Sequence, residues 1–171
     1  FIPLTHLKIV NFNMLEVIKI ENLGIGIENA LNKAAKKKID ILFSYSFRFD
    51  TRDLLPILSH PADKNKVRVY WDQPSKGFSL AGLGSVLEVS SVKYKSTEAI
   101  RDYISKTMKQ AVSISDNSLI GPKIIGGYAF SDYNGIDSTW NDFPRKYFVL
   151  PECLGTSNDD GTWLTISRMI R

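Results

Sequence analysis

Between Ile39 and Phe49 every odd position is apolar: Ile39, Ile41, Phe43, Tyr45, Phe47 and Phe49. Successive side chains of a strand point to opposite faces, so this alternation predicts a strand with one strongly apolar face. Such a face must be covered by other elements. Residues 24–38 just before it read as a helix, with Ile25, Ala30, Leu31, Ala34 and Ala35 near helical spacing and lysines opposite. Lys36, Lys37 and Lys38 end that helix, where cations offset the negative end of its dipole. A short helical turn is expected at Leu54–Leu58, stopped near Pro61.

Further on, Val67, Val69 and Trp71 alternate with Arg68 and Tyr70. The turn Asp72-Gln73-Pro74-Ser75-Lys76-Gly77 follows, then a strand from Phe78 to Val89, which together read as a hairpin. A helix is expected over 97–112, with Ser96 as N-cap and Glu98 in its first turn. Its apolar stripe is Ala99, Ile100, Tyr103, Ile104, Met108, Ala111 and Val112. Lys123–Phe130, Tyr147–Leu150 and Thr162–Met169 read as strands, with turns at 132–135 and 158–161. The expected fold is therefore α+β: a mainly antiparallel sheet with helices packed on one face.

Composition narrows the class. Hydrophobic residues make up 43% and charged residues 23% of the 171, which excludes disorder, collagen and a coiled coil for the whole chain. A chain this long buries roughly 70% of its unfolded surface and needs no metal or disulfide staple. The single cysteine, Cys153, excludes an internal disulfide framework and a cysteine zinc site. The 22 basic and 18 acidic side chains give a net charge of +4, spread along the chain. There is no basic stripe interleaved with stacking aromatics, so nucleic acid is not an expected partner. No apolar run approaches roughly 18 residues, so no membrane span is expected, and a cytoplasmic protein is the default. The chain starts at Phe1 rather than methionine and stops at Ile170-Arg171 straight after an apolar run. Both ends read as cuts, so the expectation is a single α+β domain, 1–171, that is part of a longer protein.

The chemistry-bearing residues form no recognisable site. Gly24-Ile25-Gly26 invites a dinucleotide reading, but Asn29 stands where helix–strand packing needs a small residue. Ala81-Gly82-Leu83-Gly84-Ser85 has Leu87 at the equivalent place, and glycines in a strand mark close backbone approach or a bulge. No Gly-Lys-Ser/Thr phosphate loop occurs. His6 and His60 are the only histidines, and neither has a second one at metal spacing. Ser90 and Lys93 stand at serine-x-x-lysine spacing, but on a strand they would face opposite ways. Cys153 reads as a small, partly buried residue rather than a nucleophile. Glu16, Glu21, Glu28, Glu88, Glu98 and Glu152 offer no pair at a spacing suited to magnesium, and Asp159-Asp160 sits in a glycine turn. No catalytic, cofactor-binding or metal residue is assigned within this chain.

Two stretches carry a family resemblance. The first is Val69-Tyr70-Trp71-Asp72-Gln73-Pro74 followed by Phe78-Ser79-Leu80-Ala81-Gly82-Leu83-Gly84-Ser85. It resembles the amino-terminal hairpin of chorismate-utilising enzymes, in which an aromatic strand precedes an A-x-G strand. The second is Ile125-Gly126-Gly127-Tyr128-Ala129-Phe130, then Trp140-Asn141-Asp142-Phe143, then Phe148-Val149-Leu150-Pro151-Glu152. It is similar to the family's GG-x-x-F … W-x-x-F … LP passage, with the 97–112 helix between the two as in the family. The likeness covers about 66–169 and is weaker over 1–65. Physically, Gly126 and Gly127 would permit close strand contact, Phe130 and Trp140 would anchor the core, and Pro151 would end a strand.

Within the family the motifs resemble those of isochorismate synthases. The resemblance implies chorismate as substrate, isochorismate as product and Mg²⁺ as cofactor, with product used for menaquinone or for siderophore and salicylate synthesis. The family's lysine, acid glutamate and magnesium-binding glutamates belong to a later part of the chain, so none is carried over and this piece alone is expected to be inactive. Anthranilate and aminodeoxychorismate synthases share the scaffold. No Leu-Leu-Glu-Ser string is present, which leans against the former. A reading of another class is a non-catalytic binding or interaction module. Open sheet edges would favour dimers.

Overall fold

The computed structural model describes residues 20–59, 66–130 and 144–171. In chain order these form α1 (Ile20–Lys37), β1 (Ile41–Arg48), the one-turn helix α2 (Leu55–Leu58), β2 (Arg68–Gln73), β3 (Phe78–Leu83), β4 (Leu87–Ser90), α3 (Thr97–Gln110), β5 (Val112–Ile114), β6 (Ile125–Tyr128), β7 (Lys146–Leu150), β8 (Cys153–Asn158) and β9 (Gly161–Ile170). A six-stranded sheet runs β2-β3-β8-β9-β1-β5, and a three-stranded sheet runs β4-β7-β6. Every pairing is antiparallel except β1 with β5. The α+β class with mainly antiparallel sheets is therefore what the chain adopts.

β1 organises the core. Its odd residues Ile41, Phe43, Tyr45 and Phe47 are buried with Ala30 and Ala34 of α1, and with Leu54 and Ile57 at α2. Its even residue Leu42 belongs to a second cluster, with Ile100 of α3, Leu87 and Val89 of β4, and Leu150 of β7. The helices thus divide between the two faces of β1 instead of sharing one, because Leu42 makes the second face need cover as well. That second face also carries hydroxyls. Ser44 Oγ lies 2.9 Å from Ser167 Oγ, and Ser46 Oγ 2.8 Å from Thr165 Oγ1, so buried polar groups satisfy each other across the β1–β9 register.

α1 spans Ile20–Lys37, so Gly24-Ile25-Gly26 lies inside the helix, not ahead of it as a phosphate-binding turn requires. A Cβ at Gly26 would stand 2.1 Å from Ile114 Cδ1 and 3.0 Å from Phe43 Cε2, so this glycine lets the helix lie down on the sheet. The helix buries small residues: Gly26, Ala30 and Ala34 face inward, while Ile25 and Leu31 remain 58% and 47% exposed. The expected stripe had the right period but gave the larger side chains the wrong side.

α3 starts as its sequence predicts. Ser96 has extended backbone, and its Oγ accepts the Ala99 N–H at 3.1 Å. Glu98 is held below its ordinary carboxylate range by its own backbone N–H and then by the Ser96 hydroxyl. Ser96→Ala should cost about 1 kcal/mol through the lost cap, read as a lower urea midpoint with unchanged slope. The helix ends earlier than expected, at Gln110. Val112 and Ile114 turn to a parallel pairing with Phe43 and Tyr45, as β-branched residues favour.

Among the described residues no helix is long and apolar enough to cross a membrane. The expected turn at 132–135, together with Trp140, Phe143, His6 and His60, lies outside the described residues.

Candidate functional site

The two segments that carry the family motifs come together in space. β3 pairs with β8 in the large sheet, ending at Leu83↔Cys153. β4 pairs with β7 in the small sheet, starting at Leu87↔Leu150. Residues 84–86 on one side and Pro151-Glu152 on the other carry both chains from one sheet into the next. A 2.8 Å bond from Val86 N–H to Leu150 C=O bridges the crossing. The strand expected over 78–89 is therefore one arm of a bent two-stranded ribbon, broken where the ribbon changes sheets.

The bend follows from residue size and backbone sign. A Cβ at Gly82 would stand 2.7 Å from Pro151 Cγ, so Ala81-Gly82 of the first stretch and Leu150-Pro151 of the second are complementary halves of one contact. Gly84 has φ +71°, in the left-handed region that favours glycine, and a Cβ there would reach 2.6 Å from Glu152 Oε2. Glu152 is held from two sides. Lys66 Nζ donates to Oε2 at 2.9 Å, and Arg168 lies 3.5 Å from Oε1. Its backbone C=O accepts the Ser167 N–H at 2.8 Å. With both oxygens matched to cations, Glu152 fixes the junction of β2, β8 and β9. Partly exposed pairs of this kind contribute about 0–1 kcal/mol, so their value lies in position rather than stability.

The small sheet holds the second motif. A Cβ on Gly126 would fall 2.1 Å from Tyr147 O and 2.6 Å from Phe148 Cα, whereas one on Gly127 would meet no described residue within 4 Å. Close strand approach thus applies to Gly126 alone. Phe130 is fully exposed, so it is not the core anchor its motif position suggests. The ring pairing falls to Tyr128 and Phe148, edge-on at 5.1 Å. Glu88 accepts hydrogen bonds from Ser85 Oγ and from Tyr147 OH, the latter at 3.0 Å. Burial first, then the Glu88 carboxylate, pushes the Tyr147 phenol above its usual range.

The remaining candidates do not converge on a reaction centre. Lys93 sits in the turn after β4, outside any strand, with its ammonium 5.6 Å from the Tyr94 ring centre and its N–H donating to Ser90 O. Cys153 is a half-buried reduced thiol at the start of β8. In the β8–β9 turn, Asn158 Oδ1 accepts the N–H groups of Asp160 and Gly161, at 3.0 and 3.2 Å. Among the described residues no group of three or more His, Cys, Asp or Glu could hold a metal ion. A groove of about 480 Å³, floored by Ala34 and Ile39 beside the Asp40–Arg171 pair, shares no residue with the junction. Sequence reasoning missed the hydroxyl cluster on β1, β8 and β9, where Thr156 Oγ1 is buried without a hydrogen-bond partner among the described residues. Its signal was Ser-x-Ser at 44–46 matched by Thr-x-Ser at 165–167.

These features agree with comparisons to known proteins. The chain is similar to the isochorismate synthase MenF of Bacillus subtilis, with 27% identity over 151 residues. That alignment takes in 83% of this chain and 32% of the relative, so the chain spans about a third of the curated relative's length. Among solved structures it is similar to MenF, the menaquinone-specific isochorismate synthase from Escherichia coli, with a TM-score of 0.44 and 15% identity, over 83% of this chain and 29% of that one. A family model described as "Chorismate binding enzyme" matches residues 29–171, running from α1 through β9. The ribbon built from its motifs and the extent of that match lead to one conclusion: this chain belongs to the chorismate-binding enzyme family.

Proposed function

We propose that this chain is the amino-terminal scaffold portion of an isochorismate synthase, a single α+β domain whose parent enzyme converts chorismate to isochorismate. The observation that carries the reading is the 27% identity to the Bacillus subtilis isochorismate synthase, confined to about a third of that protein. The proposed reaction adds water at one ring carbon while hydroxyl leaves another. It needs a base for the water, an acid for the leaving group and a cation at the substrate carboxylate. The described residues do not fit a magnesium site, since no cluster of three acidic or other ligating side chains exists among them. On the family resemblance, we assign Mg²⁺ and the proton-transfer groups to the rest of the enzyme. This chain's part is to hold shape: the Gly82–Pro151 contact and the Glu152 clamp set the angle between its two sheets. Menaquinone synthesis in the cytoplasm is the proposed use of the product, ahead of siderophore or salicylate synthesis.

A coupled assay with chorismate and Mg²⁺ tests the reading. Acid–base groups each contribute roughly 10²–10⁴-fold, so the chain alone should form isochorismate at least about 10⁴-fold more slowly than the full-length enzyme. Turnover by the chain alone at an enzymatic rate would contradict the scaffold assignment. A full-length enzyme that used ammonia in place of water would move the reading to an anthranilate or aminodeoxychorismate synthase.

A further inference from the structure

We propose that the large sheet carries a binding site for one ordered internal water, which bridges the Thr156 hydroxyl of β8 to the Ser46–Thr165 hydroxyl pair of β1 and β9. These residues share one face of the sheet. The register sets Ser44 opposite Ser167, Ser46 opposite Thr165, and Thr165 opposite Leu154. Residues directly opposite each other lie on the same face, and so do alternate residues of one strand. Thr156, two along from Leu154, therefore stands on the hydroxyl face. Ser44, Ser46, Thr156, Thr165 and Ser167 are each no more than 3% exposed.

Counting donors shows what the face lacks. A hydroxyl brings one proton and two lone pairs. Two hydroxyls bonded to each other use one proton and leave the second without an acceptor. Ser46 Oγ and Thr165 Oγ1 form such a pair at 2.8 Å, so one of their buried protons is left over among the described residues. Thr156 Oγ1 has no hydrogen-bond partner there at all. Buried polar groups are almost always satisfied, and water, which both donates and accepts, answers both needs with one molecule. The other polar groups beside Thr156 are already engaged. Trp163, directly opposite, donates its Nε1–H to Asp116 at 3.2 Å, and Leu80 on the other side is apolar. Asn158, two along β8, gives its Oδ1 to the N–H groups of Asp160 and Gly161. Thr165 is the diagonal neighbour of Thr156. Diagonal neighbours stand about 7–8 Å apart, which is too far for two short hydroxyl side chains to meet and suits two bonds through one water. Room follows from size. Thr156 is ringed by Leu80, Leu154 and Trp163, all larger side chains, which leaves depth above its hydroxyl for a molecule as small as water.

A high-resolution crystal structure of the 171-residue chain tests this independently of any activity. The expected result is a density peak within hydrogen-bond distance of Thr156 Oγ1 and of Ser46 Oγ or Thr165 Oγ1. Thr156→Ser keeps the hydroxyl and should keep the peak, whereas Thr156→Val should lose it. Valine also keeps the shape and the β-branch of threonine, so strand propensity hardly changes and the sign of the stability change is informative. Losing a bridged hydroxyl should raise the unfolding constant about threefold or more in urea melts, whereas removing an orphaned one would lower it. No density at that position in the unsubstituted chain overturns the proposal, as does a smaller rise or a gain in stability for Thr156→Val. If Thr156→Val fails to fold, the density in the unsubstituted chain and in Thr156→Ser decides.

Discussion

Gly126→Val is expected to separate β6 from β7 and to cost about 3 kcal/mol or more, whereas Gly127→Val should change stability by less than about 0.5 kcal/mol. The two glycines are neighbours with the same chemistry, so propensity does not distinguish them. Surroundings do. At Gly126 the first added carbon meets Tyr147 O and Phe148 Cα, which are backbone atoms of the paired strand and cannot rotate away. At Gly127 it meets none of the described residues within 4 Å. Urea melts of both variants, with amide exchange over residues 146–150, would read the difference. Equal destabilisation at the two positions would show that loss of glycine, not the close approach, is what matters.

Ile100→Ala is expected to cost about 3 kcal/mol, within the range of roughly 2–5 for emptying a fully buried aliphatic site. Ile100 is the one residue of α3 that is fully buried. It enters the cluster of Leu42, Leu87, Val89 and Leu150, so it is the point where the helix grips both sheets. Tyr103, Ile104 and Met108 pack on the same cluster but keep partial exposure. Met108→Ala should therefore cost distinctly less. A lower cost at Ile100 than at Met108, from chemical denaturation with both variants folded, would place the anchor elsewhere.

What could be read in the chain beforehand follows from which forces leave a local mark. Alternation of large apolar residues announced β1, and a cap with a helical stripe announced α3. β8 left no such mark. Its interior residues are Leu154, Gly155, Thr156 and Ser157, and they are buried on both faces because neighbours enclose them, not because they are oily. β5 leaves none either: its first residue, Val112, falls on the expected stripe of α3, since a three-residue parallel strand owes its existence to Phe43 and Tyr45, far away in sequence. The family motifs were legible as strings, yet their meaning was not. Gly82 and Pro151 are 69 positions apart and make sense only as the two sides of one contact. Phe130 shows the opposite failure, a motif aromatic that stays outside the packed interior.

The middle of the large sheet joins Ile41–Arg48 to Gly161–Ile170, more than a hundred positions downstream. Closing so wide a loop costs entropy before any pairing is gained, and topologies of high contact order fold slowly for that reason. Until residues 161–170 are available, the aromatic face of Phe43, Tyr45 and Phe47 has α1 on it but lacks its longest strand neighbour. The nascent polypeptide is thus most exposed to aggregation late, and a chaperone that shelters residues 41–48 would raise its yield more than one acting at any other strand.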